Sequence, residues 1–238
     1  MNVRTLQRPL SIAAIVDGGI YAMPSAPLGQ SGLFLRVGCI DEVFVKVPSA
    51  RGMDDYRDFV RDAKPNPSDI RGLEDAERYD GLDSTLRRLP LLATSGVQDR
   101  ELLHYLAVHQ LQHERLRDAD VVAIPPARFG FLRSGRLIHK LEPAMFQQRV
   151  DGSTLWEMFD FDALEVTRPW WPHLPAISGQ LRKLLDSPWM NHIDWNIQNF
   201  VFRPSDERLF YVDMKPTLFL AAQSNAHNLQ GLRDYFIE

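Results

Sequence analysis

The sequence predicts an α+β chain of two lobes, an antiparallel sheet-rich N-terminal part with one long helix and a shorter, mainly helical C-terminal part. Three observations predict it. A hairpin pattern lies between Leu33 and Val47, a broad apolar helix face runs through Asp99–Arg117, and helical periodicity dominates after Asp151-Gly152 until a short strand pair between Phe200 and Val212. No Gly- and Ser-rich linker divides the chain, so one domain with two lobes is expected, the first over residues 1–148 and the second over 149–238.

With 238 residues, 45% of them hydrophobic and 24% charged, the chain can bury a substantial core and does not have a disordered composition. A net charge of −4 gives no general attraction to polyanions, so no nucleic-acid partner is expected. Cys39 is the only cysteine, which rules out an internal disulfide and a multi-cysteine metal site and fits a reducing compartment. The apolar stretch Ser11–Val16 is short and followed by Asp17, unlike a secretory signal, and no segment reaches membrane-spanning length. A cytoplasmic protein without a membrane partner is expected.

The elements follow in order. Leu33–Val37 and Val43–Val47 read as strands around turn residues Gly38–Glu42, preceded by the small-residue segment Pro27–Gly32. Pro48–Ser95 turns polar, with Pro65, Pro67 and short helical stretches at Met53–Asp62 and Ile70–Tyr79, and reads as an insertion over 48–95. In Asp99–Arg117, Leu102, Leu103, Leu106 and Leu111 with Tyr105 and Val108 form one apolar face. Strands are expected at Arg128–Arg133 and Arg136–His139 around Ser134-Gly135, then an apolar run to Val150. Helices are expected at Ser153–Phe159 and Leu174–Leu185, with strands at Phe200–Arg203 and Leu209–Val212 flanking the turn Pro204–Glu207.

The residues with most chemical content are His192-Ile193-Asp194-Trp195-Asn196-Ile197-Gln198-Asn199, followed by strand, turn and strand into Val212-Asp213. Phosphoryl transfer needs an acceptor for a hydroxyl proton and oxygen ligands for magnesium, held together by rigid backbone. Asp194, Asn199 and Asp213 offer these roles in that order. A His-x-Asp-x-x-x-x-Asn pattern arises by chance in about 1% of chains of this length, and the following strand pair makes coincidence rarer still. The bland alternative has His192 capping a turn, Asp194 and Asn199 bonding loop backbone, and Asp213 ending a strand.

This stretch resembles the catalytic loop of protein kinases and aminoglycoside phosphotransferase-type small-molecule kinases, with Asp213 where their second metal-binding aspartate sits. The resemblance implies a two-lobed kinase-like fold with a reduced C-terminal lobe, and ATP and Mg2+ as cofactors. It implies Asp194 as catalytic residue and Asn199 and Asp213 as metal ligands. Lys46, in the alternating strand Val43–Val47, resembles the strand lysine that contacts the nucleotide phosphates, and Gly29 and Gly32 resemble a shortened phosphate-covering loop. The family pairs its lysine with a helix glutamate, for which Glu101 is the first choice and Glu114, Glu74 and Glu77 are rivals. Glu142–Gly152, including Gln148, stands where the family's hinge binds adenine through backbone groups.

Departures narrow the expectation. Ile193 replaces the arginine of many phosphorylation-activated protein kinases, Asn196 stands where serine/threonine kinases commonly carry lysine, and Met214-Lys215 follows Asp213 where those enzymes have Phe-Gly. Only 25 residues follow Asp213, so the acceptor site is expected to be small, or completed by the insertion or by a partner protein covering the reduced C-lobe. The expected function is therefore transfer of the γ-phosphate of ATP to a hydroxyl of a small molecule or of Ser or Thr in a peptide. A pseudokinase acting as a protein-binding module is the alternative, and AMP transfer by the same fold is a third. His109 and His113 share a helix face but lack a third ligand, so they read as a solvated polar face rather than a metal site. Trp170-Trp171 reads as a packed loop or partner contact.

Overall fold

The computed structural model describes residues 3–22, 28–31, 35–62, 82–134, 140–158, 171–214 and 222–237. It is a mixed α and β chain that divides into two compact units, Met1–Leu111 with Pro126–Arg149, and Gln112–Pro125 with Val150–Glu238. The sequence reading placed 112–125 in the first lobe.

The first unit is built on seven strands: β1 (Val3–Thr5), β2 (Ile20–Ala22), β3 (Gly29–Ser31), β4 (Leu35–Ile40), β5 (Val43–Pro48), β6 (Ala127–Ser134) and β7 (Lys140–Gln148). They lie in the order β1-β2-β6-β7-β5-β4-β3. The run β3-β4-β5-β7-β6 is antiparallel throughout, as the hairpin pattern predicts. At the other edge β2 pairs parallel with both β1 and β6, so the sheet is mixed rather than antiparallel. Parallel neighbours need a crossover of a dozen residues or so, which Leu6–Gly19 supplies, and three-residue strands are too short to show a period in the sequence. Arg136–His139 lies outside the described residues; the partner of β6 is β7, in register from Ala127 opposite Gln147 to Ser134 opposite Lys140.

Alternation along β5 and β7 divides this core into two faces. Val43, Val45, Val47, Ala144 and Phe146 pack with Leu6, Leu10 and Ile15 from the N-terminal crossover. The opposite face carries Ala127, Phe129 and Phe131, which pack with Leu103, Leu106 and Ala107 of the long helix α4 (Arg100–Ala119). Asp99 caps that helix, accepting the Glu101 and Leu102 amides at 3.0 and 3.2 Å.

Part of the expected insertion belongs to this core. Helices α1 (Ala50–Asp62), α2 (Leu82–Arg88) and α3 (Pro90–Ala93) fall within 48–95. Leu82, Leu89 and Leu92 are fully buried against Phe129 and Phe131. With half-buried Leu86 they repeat at three- and four-residue intervals, an apolar stripe diluted in the sequence by its charged neighbours. The stretch Ile70–Tyr79 lies outside the described residues.

Gly130 and Gly19 cross closely. The Gly18 amide donates to Phe129 O at 2.7 Å and the Phe131 amide to Gly19 O at 2.8 Å. A Cβ on Gly130 would stand 2.6 Å from Gly19 O, inside any tolerable contact with backbone. Gly130→Ala is therefore expected to destabilise the first unit by about 1–3 kcal/mol, the usual cost of overpacking. Urea denaturation followed by far-ultraviolet circular dichroism checks this; an unchanged midpoint would mean that the crossing loop yields freely.

The second unit has a three-stranded sheet of β8 (Ser153–Thr154), β9 (Phe200–Arg203) and β10 (Arg208–Tyr211) in the order β10-β9-β8. Its helices are the C-terminal half of α4, α5 (Leu155–Met158), α6 (Leu174–Leu185) and α7 (Ala222–Phe236). Leu116, Ile177, Leu181, Leu184, Phe202, Leu209, Leu232 and Phe236 form one apolar core. Helix α7, for which the sequence reading had no element, is tied to α6 at its C-terminal end. Ser178 Oγ donates to Phe236 O, and Arg182 donates to Ile237 O at 2.5 Å. A guanidinium there also complements the negative end of the helix dipole.

His113 corrects the expectation of a solvated histidine face. It is 2% exposed and donates from Nε2 to Pro125 O at 3.0 Å, a satisfied buried side chain. Its half of α4 packs into the second unit, which the sequence alone does not reveal. His109, on the other half, bonds Tyr105 O at 2.7 Å through Nδ1. No described helix is long and apolar enough to cross a membrane.

Candidate functional site

The segment from His192 to Asp213 folds as a buried loop leading into a hairpin. Met190–His192 forms one 3-10 turn, Ile193 is extended, and Ile197–Asn199 forms a second 3-10 turn that runs into β9. Ile193 and Trp195, 0% and 1% exposed, are the apolar anchors of the loop, and the Trp195 indole N–H donates to Met190 O at 3.1 Å. Asn196 caps the second turn by accepting the Gln198 amide at 3.0 Å, while the Asn199 amide returns to Asn196 O at 2.8 Å. Asx chemistry at Asn196 thus starts the turn that brings Asn199 back towards Asp194.

The loop brings together the residues expected to act together. Asn199 Nδ2 donates to Asp194 O at 3.3 Å, closing the five-residue interval. The Val212 amide donates to Asn199 O at 2.8 Å, so the chain delivers Asp213 one residue after a direct bond to Asn199. Asp194 is 8% exposed and Asn199 6%, whereas Asp213 is half-buried. Beside the N–H that donates to Asp194 O, Asn199 carries an amide oxygen, and Asp213 adds a carboxylate. Both are hard oxygen donors of the kind magnesium takes.

Three supports escaped sequence reasoning. The Tyr211 hydroxyl accepts the Asp194 amide at 2.9 Å; Tyr211 is fully buried beside Phe200, and in sequence it reads only as an apolar strand residue. Gln112 Nε2, from α4, donates to His192 O at 3.4 Å. Asn225, on α7, accepts the Trp195 amide and donates to Ile193 O, both at 2.9 Å. No local motif signals a polar side chain aimed at backbone far along the chain.

No family model, curated protein or solved structure matches this chain. The site therefore rests on its own geometry. Among the described residues no three His, Cys, Asp or Glu side chains cluster as a metal site. A magnesium site of one carboxylate, one amide oxygen and substrate phosphates requires no such cluster.

The remaining expected residues belong to the first unit. Lys46 lies on β5 opposite Val37 and Met145, half-buried and on the face away from Val45 and Val47. Glu101, in the first turn of α4, binds Arg57 of α1: Nε to Oε1 is 2.6 Å, and Arg57 also reaches Asp54 at 2.8 Å. Desolvation lowers the Arg57 pKa, but pairing with Glu101 and Asp54 outweighs it, and the net shift is upward. The sequence reading gave Glu101 to Lys46 and had no role for Arg57. Glu114 lies on the half of α4 that belongs to the second unit, and Glu74 and Glu77 lie outside the described residues.

Gly29 is part of edge strand β3, paired with Val37, rather than a loose loop residue. A Cβ there would meet only Val37 O at 3.7 Å, an ordinary contact, so the fold itself does not demand glycine at this position. Gly32, Lys215 and Trp170 lie outside the described residues. Gln148 ends β7 opposite Val43, on the face away from Lys46, and its amide, expected at an adenine-binding hinge, donates to Pro126 O at 2.8 Å. Gln147 takes Lys46's face instead, since successive strand residues point to opposite sides.

Proposed function

We propose that this chain is an ATP-dependent phosphotransferase of kinase-like fold that acts on an alcohol hydroxyl of a small molecule or of Ser or Thr in a peptide. The observation that carries the reading is the closure of Asp194, Asn199 and the strand end before Asp213 by the Asn199–Asp194 and Val212–Asn199 hydrogen bonds. The bland reading accounts for each bond separately. It does not account for a nearly buried aspartate beside a buried asparagine and a following aspartate.

The strand order supports the finer fold reading. Three consecutive antiparallel strands β3, β4 and β5 place Lys46 on the third, the ordinal position of the phosphate-binding lysine in protein kinases. Strands β6 and β7 complete the antiparallel run, and α4 lies between β5 and β6 in the chain. In this scheme Asp194 orients the acceptor hydroxyl and takes up its proton. Asn199 and Asp213 hold magnesium through oxygen, and Lys46 neutralises phosphate charge. Bound Mg-ATP supplies the phosphoryl group and ADP as the leaving group.

Thermal unfolding with and without Mg-ATP, together with ADP formation across a panel of hydroxyl acceptors, tests the proposal. Ligand at a hundred times its Kd adds about 2.7 kcal/mol, a clear rise in Tm. Lys46→Met is expected to lower turnover more than it lowers the ligand-free Tm, because methionine keeps the apolar stem on the half-buried Met145 face of the sheet. A wild-type protein that neither binds nucleotide nor releases ADP would overturn the reading. One that binds Mg-ATP without turnover would favour the pseudokinase.

A further inference from the structure

We infer that Asn225 is a positioning residue for Asp194, acting as a two-point clamp from the C-terminal helix; this rests on the phosphotransferase reading above. Its side-chain amide accepts the Trp195 N–H at 2.9 Å and donates to Ile193 O at 2.9 Å. These are the backbone groups immediately before and after Asp194. A single planar amide that engages both pairs with Asp194 as a neighbouring β-strand would, and so restrains the dihedrals on either side of its Cα.

The other contacts to the loop act differently. Tyr211 holds the Asp194 amide itself, and Gln112 holds His192 O at the loop entrance, at a longer 3.4 Å. Of these three, Asn225 is the one that spans the aspartate. The apolar neighbours Ile193 and Trp195 fix the depth of the loop, but dispersion contacts have no direction, and two directed hydrogen bonds set how the Asp194 side chain leaves the backbone. Helix α7 is itself secured at its far end by Ser178 and Arg182, and Leu232 and Phe236 bury it in the core. The clamp is therefore mounted on a fixed element.

Asparagine is the residue this demands. Aspartate keeps the acceptor for Trp195 but sets a carboxylate oxygen against Ile193 O, and alanine removes both bonds. Asn225→Asp and Asn225→Ala, each compared with wild type on the full chain, test the inference through two readouts. The first needs no activity: amide hydrogen exchange of residues 190–199 is expected to accelerate in both variants while exchange in α6 stays unchanged. The second is magnesium-dependent ADP release from ATP per folded molecule. It is expected to fall roughly 10- to 100-fold with KM for Mg-ATP within about twofold, the pattern of a misplaced catalytic group rather than a lost binding contact.

Exchange that stays at the wild-type rate in both variants would overturn the clamp. Accelerated exchange with wild-type turnover would overturn the positioning role, because Asp194 would then be held adequately by Tyr211. A wild-type protein without nucleotide turnover would overturn the phosphotransferase reading and the catalytic role together, and the exchange rates alone would then decide whether the loop contact exists. Should Asn225→Ala fail to fold, the near-isosteric Asn225→Asp decides.

Discussion

Asp194→Asn is expected to lower phosphoryl transfer by about 10²–10⁴-fold while leaving nucleotide binding and Tm near wild-type values, the range associated with removing a positioned general base. The substitution preserves shape. The bonds from Asn199 Nδ2 to Asp194 O and from the Asp194 amide to Tyr211 use backbone groups that asparagine retains. The side-chain bond from the Asn196 amide to Oδ1 is long at 3.4 Å and is one that an amide oxygen can accept. Steady-state ADP release, Mg-ATP titration and a melting curve on the same preparation check the three parts. A variant that retained turnover would remove Asp194 from the chemistry, and one that lost Tm along with turnover would support the structural reading of the loop.

The largest stability effect is expected from Trp195→Ala, at about 3–5 kcal/mol, the usual range for emptying a large aromatic site. Trp195 is 1% exposed, its ring lies 5.9 Å from that of Phe200 at 26°, and its indole N–H satisfies Met190 O. Truncation leaves a cavity in the second-unit core and orphans a carbonyl. Such a loss is a large fraction of the 5–15 kcal/mol that typically holds a domain together. All five tryptophans fall in Val150–Glu238, so tryptophan fluorescence, excited selectively over tyrosine, follows the urea unfolding of that unit. Trp195→Phe, which keeps the ring and loses only the N–H bond, is expected to cost about 1–2 kcal/mol. Equal losses for the two variants would show that the hydrogen bond, rather than the packed volume, holds the loop.

Much of the fold was legible wherever a period had room to repeat. The long helix from its Asp99 cap, helix α6 and the β9–β10 hairpin fall where helical stripes, alternation and turn residues put them; the β4–β5 hairpin does too, except that Gly38–Ile40, expected in the turn, extend β4 and leave Asp41-Glu42 to turn the chain. Strands β1 and β2 are too short to repeat anything. Leucines 82, 89 and 92 were lost among charged neighbours, and α7 has a diffuse apolar face with Leu229, Leu232 and Phe236 spread among polar residues. Edge strand β3 looked like a loop because its pairing with β4, rather than its own residues, makes it a strand.

The sequence by itself determined the local chemistry: which residues carry carboxylate, amide and ammonium groups, and the short interval that lets Asn199 turn back onto Asp194. Local spacing can do this because the few backbone dihedrals between those residues leave little freedom once Asn196 caps the turn. Tertiary structure alone decided that Tyr211 and Asn225 hold the loop, that Glu101 meets Arg57, and that one half of the long helix belongs to each unit. Those contacts join residues 17, 30 and 44 positions apart. At such separations only packing of whole elements, driven by burial of their apolar faces, determines which polar groups meet.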